Sequence, residues 1–365
     1  MSDLFHSHLY RGKHQRRKWL KWLMIALAVL LVLLVLAIFM FYGFQKYAVY
    51  TQDGVKVEFP ILKEDSVDKE DLGDPSSQEI VMEKTDTSTV AASAGYDLDA
   101  MKAVYIDYTG ISTDHVLAVA EGMSQGNALV LQLKPASGQL AYETSVREAN
   151  GYQVNGTTDL SEVVKAVRKD YSDLWLVAEL SCCVDSFMSQ RNAVSALHTT
   201  DGDVYSDGNG GWIDPTSSEM RQYIIDLARE LADMGFDEIL LTNVMHPSLS
   251  ADQFTYVQAD AEDTAEDIIT SYALSLARSI SSTGVKVSVV GTRDAISNPE
   301  DTMTGQDIKM FTNVYDRIYC YTDAESYKDY QETCYEYFSV GQREYRFVPI
   351  VSGDLPETEC WVLGS

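Results

Sequence analysis

Carboxylic acids at the ends of short apolar runs are the residues of this 365-residue chain best suited to chemistry. Asp107, Glu179 and Asp185 are the candidate catalytic groups, with Asp294 able to complete a pair. Two carboxyls facing each other hydrolyse glycosidic bonds, about 5–5.5 Å apart for retention and about 6.5–9.5 Å for inversion. Lys134, Asn243, His246, Arg293, Asp294 and Tyr321 stand at neighbouring run ends as candidate substrate-binding residues. The Gly- and Asp-rich stretch from Cys182 to Asp214 adds Trp212 and Asp214. It reads as a sugar-binding lid, because aromatic faces stack on sugar rings and carboxylates accept from hydroxyls.

Other chemistries find less support. Asp201, Asp203 and Asp207 suggest calcium, but Tyr205 and Trp212 fall where an EF-hand loop needs oxygen ligands, so a structural turn is the reading. His246 has no second histidine at metal-ligand spacing, which leaves a packed or capping imidazole as its alternative role. No Gly-x-Ser-x-Gly elbow occurs. The five cysteines form no Cys-x-x-Cys pair, and their number is odd. No metal site and no cofactor is identified.

These residues need strands to hold them. The runs 102–107, 127–133, 174–180, 238–243, 285–290, 317–321, 345–350 and 359–363 are short and continuously apolar, as buried parallel strands are. Two helices between them are well marked. One begins at a capping box, Thr216 to Glu219, presents Met220, Tyr223, Ile224, Leu227 and Leu231 on one face, and stops at Gly235. The other presents Ile268, Ile269, Tyr272, Leu276 and Ile280 and ends near Gly284. Strands alternating with helices over about 265 residues predict an α/β fold of the (β/α)8 TIM-barrel type. An open doubly wound sheet is the runner-up, although no Gly-rich phosphate loop follows the first run. The last run lies so near residue 365 that a closing helix is expected to be missing or replaced.

Residues 22–44 carry no charged side chain and are long enough to span a bilayer as a helix, longer than the apolar stretch of a cleaved leader. Residues 1–21 hold six of the 28 basic residues, so the N-terminus is expected in the cytoplasm and the remainder outside. A hairpin is expected at 45–62, an acidic stalk at 63–99 and the barrel at 100–365. Beyond the span the chain has 54 acids against 22 bases, a net of −32. That field repels nucleic acid and anionic polymers.

In order along the chain come Asn127 to Gly138 (NALVLQLKPASG), Trp212-Ile213-Asp214-Pro215, Gly235 to Pro247 (GFDEILLTNVMHP) and Gly305-Gln306-Asp307. The ordered set resembles the glycoside hydrolase-like TIM-barrel domain of bacterial membrane-anchored surface proteins. The resemblance runs from about Met101 onward and implies action on polysaccharide, with cell-wall or extracellular glycan as the partner. Lys134, Gly138, Asp185, Trp212, Asp214, Pro215, Pro247 and Gly305 to Asp307 fit the family's pattern. Four positions depart from it: Gln132 replaces an Asp, Glu179 an Arg, Thr242 an Asp and Met245 an Arg. Three readings therefore stay open. The chain is a hydrolase in which Glu179 or Asp107 has taken over, a degenerate barrel that binds glycan, or a module for envelope protein partners.

Overall fold

The computed structural model describes residues 48–51, 54–57, 87, 90, 97–260, 262–299, 303–338 and 343–364. The chain divides into two units, residues 1–77 and 78–365. In the first, Ala48–Thr51 pairs antiparallel with Gly54–Val57, Ala48 opposite Val57. The expected tail, membrane span and most of the stalk lie outside the described residues. No helix among the described residues is long and apolar enough to cross a membrane.

The second unit is a closed barrel of eight parallel strands. They are β1 Lys102–Ile106, β2 Ala128–Lys134, β3 Trp175–Ser181, β4 Glu238–Thr242, β5 Lys286–Val290, β6 Ile318–Tyr321, β7 Phe347–Val351 and β8 Trp361–Leu363. Every strand falls on one of the eight predicted runs. β8 closes the ring against β1, with Val362 opposite Ala103. The helices around it are α1 Thr113–Gly122, α2 Arg147–Tyr152, α3 Leu160–Asp170, α4 Ser186–Arg191, α5 Ser218–Met234, α6 Ala265–Ser281, α7 Arg293–Ser297, α8 Ile308–Val314 and α9 Tyr327–Tyr337.

The two marked helices form as α5 and α6, with one correction. The side chain that caps α5 is Ser217, which accepts from Met220 N, and not Thr216. Thr216 is taken by Asp214, whose Oδ1 accepts from its amide at 2.8 Å and its hydroxyl at 2.7 Å. Glu219 correspondingly turns to Asn192, 3.0 Å away. A reciprocal capping box does open α6, between Thr264 and Asp267. Gly235 ends α5 at φ 102°, a left-handed conformation that glycine adopts without steric cost.

Side chains inside the barrel are layered. At the base, Glu238 is fully buried and accepts from Tyr319 Oη at 2.8 Å, from Trp175 Nε1 at 3.0 Å and from the Arg317 guanidinium. Above it lie Ala103, Val130, Val177, Leu240, Val348 and Val362. By the same strand alternation, Tyr105, Gln132, Glu179 and Thr242 form the upper layer, at the C-terminal ends where barrel chemistry is placed.

Candidate functional site

The upper layer begins from three contacts. Glu179 Oε1, on β3, accepts from Tyr105 Oη of β1 at 3.1 Å and from Gln132 Nε2 of β2 at 3.0 Å. Glu179 is 2% exposed, and its Oε2 is buried without a hydrogen-bond partner. Burial pushes its carboxyl up to about 7, against the two hydrogen bonds, which favour the charged form. Burial also raises the Tyr105 hydroxyl, with the charges of Glu179, Tyr321 and Asp107 adding to the effect.

Tyr105 in turn lines a cavity of about 410 Å³ with Tyr321, Thr322, Asp323, Arg293, Ile350 and residues of the β7 and β8 ends. Tyr321 is 48% exposed, so its ring is open to a ligand. Asp323 accepts from Ser326 N at 2.7 Å, Glu325 N at 3.0 Å and Ser326 Oγ at 3.0 Å, and these bonds hold its carboxyl below the usual range. Cavity, aromatic faces and fixed charges together are what a sugar-binding cleft requires.

Of the residues predicted for the site, Arg293 and Tyr321 line this mouth, and Glu179 lies buried behind it, bonded to the lining residue Tyr105. Tyr105 and Asp323 complete it; Asp323 follows Tyr321 by two residues, and Tyr105 sits inside β1 with nothing in its neighbours to mark it. Asp107 caps a 3-10 turn, Tyr108–Gly110, accepting from Thr109 N at 2.8 Å and Gly110 N at 3.2 Å. Its hydrogen bonds to Thr109 keep its carboxyl below the usual range. Asp294 is exposed on α7 and does not line the cavity.

The other predicted residues build the frame. A register shift between Gln132 and Lys134 turns Lys134 out of the interior, as a bulge does. Its Nζ meets Asp185 Oδ2 at 2.7 Å and donates to Ser181 O at 2.8 Å. Asp185 also caps α4 through Met188 N. Trp212 is 1% exposed in the core, bridged to Val184, so its ring faces no ligand. In the expected lid, residues 201–204 and 206–209 are exposed, Ser206–Asp207 pairs with Gly210–Gly211, and Tyr205 lies edge-on to Phe254 at 5.0 Å. Asp214 is buried, accepts from Thr216 and from Val257 N at 2.6 Å, and has its carboxyl raised by that burial. His246 is buried between Pro247 O at 2.8 Å and Tyr256 Oη at 2.6 Å, and burial lowers its pKa. Asn243 adopts φ 53° and donates to Ser181 Oγ at 2.8 Å. All five cysteines are buried free thiols. No group of acidic, His or Cys residues among those described is arranged to hold a metal ion.

No curated protein matches the chain in sequence. The fold is similar to that of a hypothetical protein from Ruminiclostridium thermocellum, at 21% identity over 51% of this chain and 96% of that one, TM-score 0.44. It is similar to the PgaB (BpsB) glycoside hydrolase domain from Bordetella bronchiseptica, at 12% identity over 69% and 84%, TM-score 0.49. A chitinase from Chromobacterium violaceum aligns at 13% identity over 69% and 68%, TM-score 0.41. Residues 103–337, which carry β1 to α9, match the family model described as "Putative glycosyl hydrolase domain", and the chain belongs to that family.

Proposed function

We propose that this protein is a membrane-anchored, extracytoplasmic member of the family whose barrel mouth binds wall or extracellular polysaccharide without cutting it. The observation that carries the reading is the make-up of the upper layer. Among Tyr105, Gln132, Glu179 and Thr242, Glu179 is the one carboxyl, and its partners Tyr105 and Gln132 are neutral. The nearby carboxyls of Asp107 and Asp323 are engaged in capping their own turns. Hydrolysis by the usual retaining or inverting routes takes two carboxyls facing the same bond. Tyr105, Tyr321 and Arg293 remain as a surface on which a sugar can stack and hydrogen-bond. Anchoring and orientation follow from residues 1–44, as read from sequence.

One observation favours the second reading, a working hydrolase. A carboxyl poised near 7 is what a general acid needs. The two readings separate when the full chain is incubated with a panel of polysaccharides and both retention and new reducing ends are measured. Retention without reducing ends is the expected result. Reducing-end release that disappears in Glu179→Gln would replace the binding reading with the catalytic one.

A further inference from the structure

Glu179 does not line the cavity, and it is buried too deeply to meet a ligand. Its contacts nevertheless converge on one wall of the mouth. Oε1 accepts from Tyr105 Oη at 3.1 Å and from Gln132 Nε2 at 3.0 Å, so a single oxygen joins side chains of β1, β2 and β3. Gln132 holds the carboxyl in place, and the carboxyl holds the tyrosine. The Tyr105 ring also packs against the inner apolar cluster that contains Val130, Val177 and Leu240. It is therefore fixed twice, by apolar contact on the ring and by the carboxyl at the hydroxyl. Without that acceptor the half-buried hydroxyl would have to seek water from the cavity, and the wall would turn with it. A wall held before the ligand arrives spares binding the cost of ordering it.

We propose that Glu179 is the positioning residue of the glycan mouth, fixing the Tyr105 ring as part of the wall that a sugar packs against and acting on the ligand through Tyr105 alone. The inference rests on the glycan-binding reading above and assigns the buried carboxyl its part in it. Tyr105 shares the cavity with Tyr321, so the two rings form one aromatic lining drawn from β1 and β6. Tyr321 is the exposed ring of the two, and Tyr105 is the one tied to the interior. The role is geometric. What Tyr105 needs is an acceptor oxygen at the position of Oε1, and a neutral side chain of the same shape supplies one. An apolar side chain of similar size does not.

The test compares variants of the full chain by affinity electrophoresis in gels holding glycol chitin, xylan, laminarin or galactomannan. Glu179→Leu removes the acceptor and should weaken retention about tenfold, the size of one hydrogen bond. Glu179→Gln keeps the oxygen and should stay within about twofold of the parent. Tyr105→Phe keeps the ring, loses the hydroxyl and should again cost about tenfold. In a chain carrying both Glu179→Leu and Tyr105→Phe the losses should not multiply, because each removes the same interaction. Losses that multiply to about a hundredfold would show that Glu179 acts apart from Tyr105, and would overturn the inference. Unweakened retention in Tyr105→Phe overturns it too, whether or not Glu179→Leu folds. A second readout needs no ligand. In fluorine NMR of the chain labelled with 3-fluorotyrosine, the Tyr105 resonance is identified by its absence from Tyr105→Phe. It should keep its shift in Glu179→Gln and move or broaden in Glu179→Leu. A resonance unmoved in Glu179→Leu overturns the positioning role even where polysaccharide is retained. Retention of none of the four polysaccharides by the parent chain overturns the glycan-binding reading itself, whatever the fluorine spectrum shows.

Discussion

Lys134 Nζ lies 2.7 Å from Asp185 Oδ2, with the two side chains 1% and 2% exposed. Gly138 is the third member of this arrangement: at φ 86°, a Cβ there would stand 1.9 Å from Asp185 Oδ1. The pair pins the loop after β3 to the end of β2, and the glycine leaves room for it. Three residues that carry the family resemblance are thus bound together as scaffold. Asp185→Asn leaves the Lys134 ammonium buried without its counter-charge, so a loss of about 3–5 kcal/mol is expected. Gly138→Ala should destabilise as well, through both the clash and the left-handed backbone. Denaturant unfolding measures both. A midpoint unchanged in Asp185→Asn would show that the pair is not what holds the loop.

Glu179 gives the fold a defined pH dependence. Its carboxyl stands at about 7 in the folded chain against 4.5 for the unperturbed group. The folded state therefore holds a proton that the unfolded state has lost between these values, and stability falls as pH rises from 4.5 to 7. Below that window the penalty is absent, and above it the penalty is complete, roughly 3 kcal/mol. Glu179→Gln cannot ionise and should lose this component, becoming more stable than the parent at pH 8 but not at pH 4.5. Thermal or denaturant unfolding across that range reads it directly. Parallel stability curves for parent and variant would mean that the carboxyl is not desolvated in this way.

The barrel was legible because its strands are buried on both faces, so each reads as an unbroken apolar run such as ALVLQLK or EILLT. The same continuity hides the site. An unbroken run does not say which face is inward, so Tyr105, between Val104 and Ile106, carries no mark of lining a cavity. Trp212 and Tyr321 are both substrate-binding candidates in the sequence, yet one is in the core and the other at the mouth. That difference comes from the bridges that hold Trp212 to Val184 and Ile213 to Ala196, pairings that depend on partners distant in sequence. The cap of α5 moved by one residue for a similar reason. Thr216 had a stronger claim on it from Asp214 than from the helix.

That difference between the two aromatics has a direct consequence. Tyr321→Ala truncates an exposed ring at the cavity and should weaken polysaccharide binding by roughly tenfold to a hundredfold with little change in stability. Trp212→Ala empties a core position and should cost about 3–5 kcal/mol of stability. Affinity electrophoresis in a polysaccharide gel, run beside a melting curve, resolves the two effects. If Trp212→Phe were to lose binding at unchanged stability, the indole would have to reach the ligand after all.

Gln306 couples the frame to the mouth. It is 2% exposed, and its Nε2 donates to Val244 O at 3.0 Å and Val290 O at 3.1 Å, joining the segments that leave β4 and β5. Its Oε1 accepts from Thr292 N at 2.9 Å, and Thr292 caps α7, the helix that begins with the cavity residue Arg293. Gln306→Leu would orphan two carbonyls and an amide, each worth about 1–3 kcal/mol when left buried and unpaired. Partial relaxation should bring the total loss to roughly 2–5 kcal/mol. Because the cap of α7 loosens, glycan binding should also weaken in a variant that never touches the ligand. Gln306→Glu keeps an acceptor for Thr292 N but loses the donor to both carbonyls, so it should retain more binding than stability. Equal loss of both properties in the two variants would mean that Gln306 acts on the barrel alone, and that Arg293 is positioned by something else.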